Sequence, residues 1–137
     1  MQEGICVVIS PLIALMQDQV NNLQEKGIPA LMLKGGISYT ELDQTLDNCI
    51  FGKYKFLYLS PERLNQELVQ ERMKQMNVSF LVVDEAHCIS EWGHDFRPAY
   101  QKISDFKNLK PKVKTIALTA TATQKVVKDI QKFLEIP

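Results

Sequence analysis

Phe80-Leu-Val-Val-Asp-Glu-Ala-His-Cys-Ile-Ser-Glu-Trp-Gly-His-Asp-Phe-Arg-Pro-Ala-Tyr100 begins apolar and turns acidic without transition. The run Phe80 to Val83 has the length and β-branched character of a buried strand. Asp84 and Glu85 then place two carboxylates at its tip, where each charge resists leaving water. A pair in that position suits holding a metal ion and activating a water. Downstream, Trp92, His94, Phe96 and Arg97 interleave rings with cations, a pattern suited to stacking on nucleobases and meeting phosphates. One stretch therefore joins a candidate nucleotide-hydrolysis site to a candidate nucleic-acid sensor.

Working outward, strand and helix signals alternate. Ile5–Ile9 is a continuous β-branched run, expected for a strand covered on both faces. Ser10-Pro11 reads as an N-cap and first-turn proline, followed by a helix that Gly27 closes. Pro29–Leu33 is a short strand, and Ser38 with Glu41 forms a capping box that opens a helix through Phe51. Phe56–Leu59 is a third strand. Ser60-Pro61 repeats the cap-plus-proline start, with a helix to Met76. After Phe80–Val83, a helix runs from Pro98 to Leu109, a fifth strand from Val113 to Leu118, and a last helix from Thr123 to Leu134. Alternation of this kind predicts a parallel sheet with helices on both faces. Ligands of such sheets bind beyond the carboxyl ends of the strands. Ser10, Ser60 to Arg63, Asp84 to His87 and Thr119 to Thr121 all fall there.

Composition sets bounds. The 137 residues are 45% hydrophobic, enough for a core, and fit one domain. Lys plus Arg and Asp plus Glu each number 16, so a polyanionic partner must be met by a local patch. Cys6, Cys49 and Cys88 are odd in number and include no CxxC pair, which supports neither a disulfide framework nor a zinc knuckle. Reduced thiols suggest a cytosolic setting, and no apolar run approaches the roughly 20 residues of a membrane span.

Asp84, directly after the apolar strand, holds the position of an aspartate that helps bind Mg²⁺. Glu85 is placed to orient and deprotonate a water, and His87 to relay between nucleotide and a partner domain. The alternative is that the two acids only cap the turn. Thr119-Ala-Thr-Ala-Thr123 can bond to the acidic loop, or can simply cap a helix. Ser10-Pro11-Leu12 and Ser60-Pro61-Glu62-Arg63 bring helix N-termini to the same sheet end, where phosphate is favoured, with Arg63 adding charge; ordinary capping is the other reading. A Gly-x-x-x-x-Gly-Lys-Ser/Thr loop is absent: Gly52-Lys53 has Tyr54 after it and Asp47 where the first glycine belongs.

These motifs, in this order, resemble those of RecQ-type ATP-dependent DNA helicases of superfamily 2. Val7-Val-Ile-Ser-Pro-Leu-Ile-Ala-Leu-Met-Gln-Asp-Gln-Val20 resembles motif Ia, and Leu59-Ser-Pro-Glu-Arg-Leu64 motif Ib. Val83-Asp-Glu-Ala-His87 is similar to motif II, the DEAH box, and Ala117-Leu-Thr-Ala-Thr-Ala122 to motif III. Cys88 to Tyr100 looks like the aromatic-rich loop that separates this family from most other helicases.

The resemblance implies a three-layer α/β/α RecA-like lobe with a mainly parallel sheet of about five strands, lacking its phosphate-loop strand. It implies ATP and Mg²⁺ as cofactors, and hydrolysis that drives 3′-to-5′ movement on single-stranded DNA with duplex unwinding, in DNA repair or recombination. Asp84 would ligate Mg²⁺ and Glu85 would be the catalytic base. Trp92, His94, Phe96 and Arg97 would couple DNA contact to hydrolysis, and Thr119 and Thr121 would link the two sites. Ser10, Leu12, Met16, Pro61 and Arg63 would lie along the DNA groove. Residues 1–137 then form part of the first lobe, without its phosphate loop or the second lobe. Alone they are expected neither to hydrolyse ATP at a useful rate nor to unwind DNA. The missing strand is expected to leave an edge beside Val113–Leu118 open to self-pairing. The expected setting is the bacterial cytoplasm, near the nucleoid. An RNA-directed DEAD- or DEAH-type helicase and a non-catalytic nucleic-acid-binding module are the other classes.

Overall fold

The β-branched run Ile5–Ile9 forms β1 and lies in the middle of the sheet, with four of its five side chains buried. The computed structural model describes residues 4–52, 54–92, 96–109, 113–119 and 123–134. The other strands are β2 (Ala30–Met32), β3 (Phe56–Leu59), β4 (Val78–Val83) and β5 (Lys114–Ala117). Every pairing is parallel, in the order β2-β3-β1-β4-β5. The helices are α1 (Ile13–Glu25), α2 (Tyr39–Phe51), α3 (Pro61–Leu64), α4 (Glu67–Met73), α5 (Pro98–Gln101), α6 (Ile103–Leu109) and α7 (Gln124–Leu134), with a 3₁₀ turn at Ala86–Ile89.

Strand periodicity of two divides the core. Ile5, Val7, Ile9, Leu57, Leu59, Leu81 and Val83 face one way, into a cluster with Leu42 and Leu46 of α2, Val69 and Met73 of α4, Phe106 of α6, and Val126 and Ile130 of α7. Val8 and Tyr58 face the other way, against Met16 and Val20 of α1. Each fully buried Leu or Val contributes about 1.5–3 kcal/mol relative to exposure.

The expectation of helices on both faces holds only across part of the sheet. In register, Val8 lies beside Val82, and Val82 beside Ile116. Packing on that face comes from α1, which covers β2 and β3. Phe80 and Val82 are consequently half-buried and Ile116 is 43% exposed. Among the described residues β5 pairs with β4 alone and is an edge of the sheet.

Local chemistry explains most element ends. After α1, Gly27 adopts φ 77°. Its N–H donates to the Gln24 carbonyl at 3.0 Å and that of Ile28 to Leu23 at 2.9 Å, the two bonds of a left-handed helix stop. Ser38 Oγ accepts the Glu41 N–H, and Ser60 Oγ the Arg63 N–H, both at 3.2 Å. Arg72 of α4 bonds both Asp43 and Asp47 of α2, locking the two helices together.

Three expectations need correction. Ser10 is not the N-cap of α1: its Oγ takes the Leu12 N–H at 3.3 Å, and the helix starts later, at Ile13. The helix expected over residues 61–76 is two, broken at Asn65-Gln66, where Asn65 turns its amide to the Ala99 carbonyl at 3.2 Å. The helix expected over 98–109 is likewise broken, at Lys102.

Candidate functional site

β4 carries the acid pair to the centre of the sheet's carboxyl edge. The ladder continues past the strand, so the tip is clamped on both sides. Asp84 N–H donates to the Ile9 carbonyl of β1, Leu118 N–H to Val83, and Ala86 N–H to Leu118, each at 2.9 Å. Between these bonds the chain reverses at Glu85, whose φ of 53° and ψ of 44° are left-handed. Asp84 Oδ1 accepts the Glu85 N–H at 2.9 Å, which fixes the carboxylate's rotation. Asp84 is half-buried and the Glu85 side chain is 33% exposed, so both acids keep contact with water. From below, the buried Tyr100 donates its hydroxyl to the Asp84 carbonyl at 2.9 Å. Burial and the nearby Cys88 and Asp84 push that phenol well above its ordinary value, so it remains a donor.

His87 is almost fully buried and stands between the acid turn and the end of β5. Its Nδ1 lies 2.9 Å from Thr119 Oγ1 and its Nε2 3.5 Å from Glu85 Oε2. The tautomer with its proton on Nε2 points that N–H at the carboxylate and leaves Nδ1 to accept the threonine hydroxyl. The expected bond from the threonine segment to the acidic loop thus runs through His87. His87, expected to relay between nucleotide and a partner domain, is only 5% exposed.

The aromatic loop begins at the 3₁₀ turn and closes where Arg97 N–H donates to the Cys88 carbonyl at 2.9 Å. Trp92 stands out at 68% exposed, while Phe96 and Arg97 are half-buried. His94 and Thr121 lie outside the described residues. Cys88 packs inward, fully buried, as expected.

Beside this centre, at the ends of β1, β2 and β3, lies an open groove of about 480 Å³. Ile13, Leu33, Gly35, Gly36, Ser60 and Arg63 are among its walls. Arg63 spans it, donating to Gln66 Oε1 at 2.8 Å and to the Lys34 carbonyl at 2.6 Å. Leu12, directly before α1, is 45% exposed. Ser10, Met16 and Pro61, expected along the DNA groove, are deeply placed, and Met16 is also among this groove's walls. Ser10 is 2% exposed and occupied with its own turn, Met16 is 1% exposed in the α1 core, and Pro61 is buried at the first position of α3.

Sequence reasoning missed Tyr100 and Ser90. Tyr100 was visible only as a ring after a proline; its bond to Asp84 exists because α5 folds back under the strand tip. Ser90 looked like a loop residue, yet it is fully buried.

Comparison with known proteins follows this geometry. The family profile described as DEAD/DEAH box helicase matches residues 1–130. The chain is 42% identical over 137 residues to a probable ATP-dependent DNA helicase RecS of Bacillus subtilis, covering 99% of this chain and 27% of that protein. It is 46% identical to the ATP-dependent DNA helicase RecQ of the same organism, covering 99% of this chain and 23% of the relative. The chain therefore spans about a quarter of the length of these relatives. Among solved structures, the Pyrococcus furiosus Hef helicase domain superposes with a TM-score of 0.71 at 21% identity, over 98% of this chain and 28% of that one. That likeness establishes the RecA-like α/β fold.

Proposed function

The chain belongs to the DEAD/DEAH box helicase family, and on that premise we propose that it is part of the first RecA-like lobe of a RecQ-type, ATP-dependent 3′-to-5′ DNA helicase. In this reading ATP hydrolysis drives movement along single-stranded DNA and unwinding of duplexes, in DNA repair or recombination. A second RecA-like lobe closes over the acid pair, and a phosphate-cradling loop comes from outside these 137 residues. In this reading the protein works in the bacterial cytoplasm near the nucleoid.

The observation that carries the proposal is the shared support of two sites. Asp84 and Glu85 end β4, and the 3₁₀ turn that follows them also starts the loop bearing Trp92. Asp84 fits Mg²⁺: it offers a hard carboxylate oxygen, half in water, with its rotation already fixed. Bound there, Mg²⁺ would offset the charge on phosphate oxygens. Glu85 orients the attacking water and takes its proton, and His87 holds Glu85 against Thr119. Trp92 and Phe96 stack on bases, while Arg97, Arg63 and the groove at Leu12 follow the backbone; His94 and Thr121 complete the loop and the threonine link.

The test is ATP turnover by the complete protein with single-stranded DNA, with RNA and with neither. Glu85→Gln is expected to abolish turnover in all three. Trp92→Ala is expected to lower DNA stimulation more than the basal rate. Stimulation by RNA equal to that by DNA, or equal loss of both rates in Trp92→Ala, overturns the assignment.

A further inference from the structure

The fully buried Ser90 donates its hydroxyl to Asp129 Oδ2 at 2.6 Å and accepts the Trp92 N–H at 3.1 Å. One turn earlier on the same side of α7, Lys125 holds its ammonium 4.2 Å from the centre of the Trp92 ring. α7 thus grips the loop twice, at its base through Asp129 and at its ring through Lys125. The segment leading into α7 also contains Thr119, which meets His87.

We infer that Lys125 and Asp129 are positioning residues that keep Trp92 capped, so that a nucleobase stacking on that ring face must first displace the Lys125 ammonium. The inference rests on the reading of Trp92 as a nucleobase contact. Ammonium and base compete for one π face, because both are drawn to the negative ring surface or its flat area. Only the uncapped fraction binds, which lowers apparent affinity. An exposed cation–π contact is weak enough that its removal raises affinity roughly two- to five-fold. A plain phosphate contact by Lys125 has the opposite sign: its loss weakens binding and reduces the salt slope by about one.

Trp92 is the only tryptophan of the 137 residues, so its emission reports the cap directly. Without nucleic acid, acrylamide quenching of Lys125→Ala is expected to be steeper than that of the parent chain. Ser90→Ala and Asp129→Asn are expected to lower Trp92 anisotropy, because the loop base loses its tether. Titrated with oligothymidylate, Lys125→Ala is expected to bind two- to five-fold tighter with an unchanged salt slope. Unchanged quenching or unchanged affinity overturns the proposal, as does weaker binding with the slope reduced by about one. Failure of oligothymidylate to alter Trp92 emission in the parent chain sinks the underlying reading, whatever the variants do.

Discussion

Glu85 is, among the described residues, the one non-glycine with a left-handed backbone. Holding an L-residue there costs on the order of 1 kcal/mol, sustained by the ladder bonds on either side. Glu85→Gly is expected to leave stability unchanged or raise it by up to about 1 kcal/mol while abolishing turnover; denaturation midpoints and ATP hydrolysis in the complete protein check the pair. Tyr100→Phe keeps the ring but leaves the Asp84 carbonyl without its donor, an expected loss of about 1–2 kcal/mol with several-fold slower turnover. Cys49 gives a pH signature. Burial pushes its thiol from 9.0 up to about 12. A raised folded value means the unfolded chain ionises first, so this contribution is complete below pH 9 and is lost as pH climbs towards 12. Denaturant midpoints across that range are expected to fall in the parent chain and to fall less in Cys49→Ala. The acids were legible in the sequence because an abrupt apolar-to-acidic step marks a strand tip. Depth was not: the residue types of Ser10, Met16 and Pro61 suit a surface as well as an interior, and only packing reveals how little of each is exposed.

Strands were read more closely than helices because β1 and β3 are short apolar runs with clear limits. β3 matches its expected limits, and β4 is longer than expected, since Val78 pairs with Ile5 and Ser79 bulges before the apolar run begins. Helix breaks at Asn65 and Lys102 escaped notice because neither residue forbids a helix; at Asn65 a tertiary bond to Ala99 replaces helical continuation. The α2–α4 lock was also hidden, since Asp43, Asp47 and Arg72 are far apart in sequence. Their side chains are 23–43% exposed, so solvent screens the pair. Arg72→Ala is expected to cost about 1 kcal/mol at low salt and less at high salt, read by thermal melts at two ionic strengths. Removing the Ser38 cap by Ser38→Ala is expected to cost about 1 kcal/mol independent of salt.

On the scale of the molecule, the parallel sheet follows from strand–helix alternation, whereas its strand order and the partly covered patch of Phe80, Val82 and Ile116 do not, because a hydropathy pattern does not say which strands meet or whether a helix arrives to cover them. An edge strand next to such a patch favours association. Sedimentation of the 137-residue chain is expected to show concentration-dependent self-association, and Ile116→Glu to shift it towards monomer; a monomer at all concentrations rules this out. The central place of β1 carries a cost in time. Its neighbours are Phe56–Leu59 and Val78–Val83, so both of its pairings join segments far apart along the chain. Distant pairings of this kind make refolding slow, and until they close the apolar Ile5–Ile9 run stays open to capture by other chains.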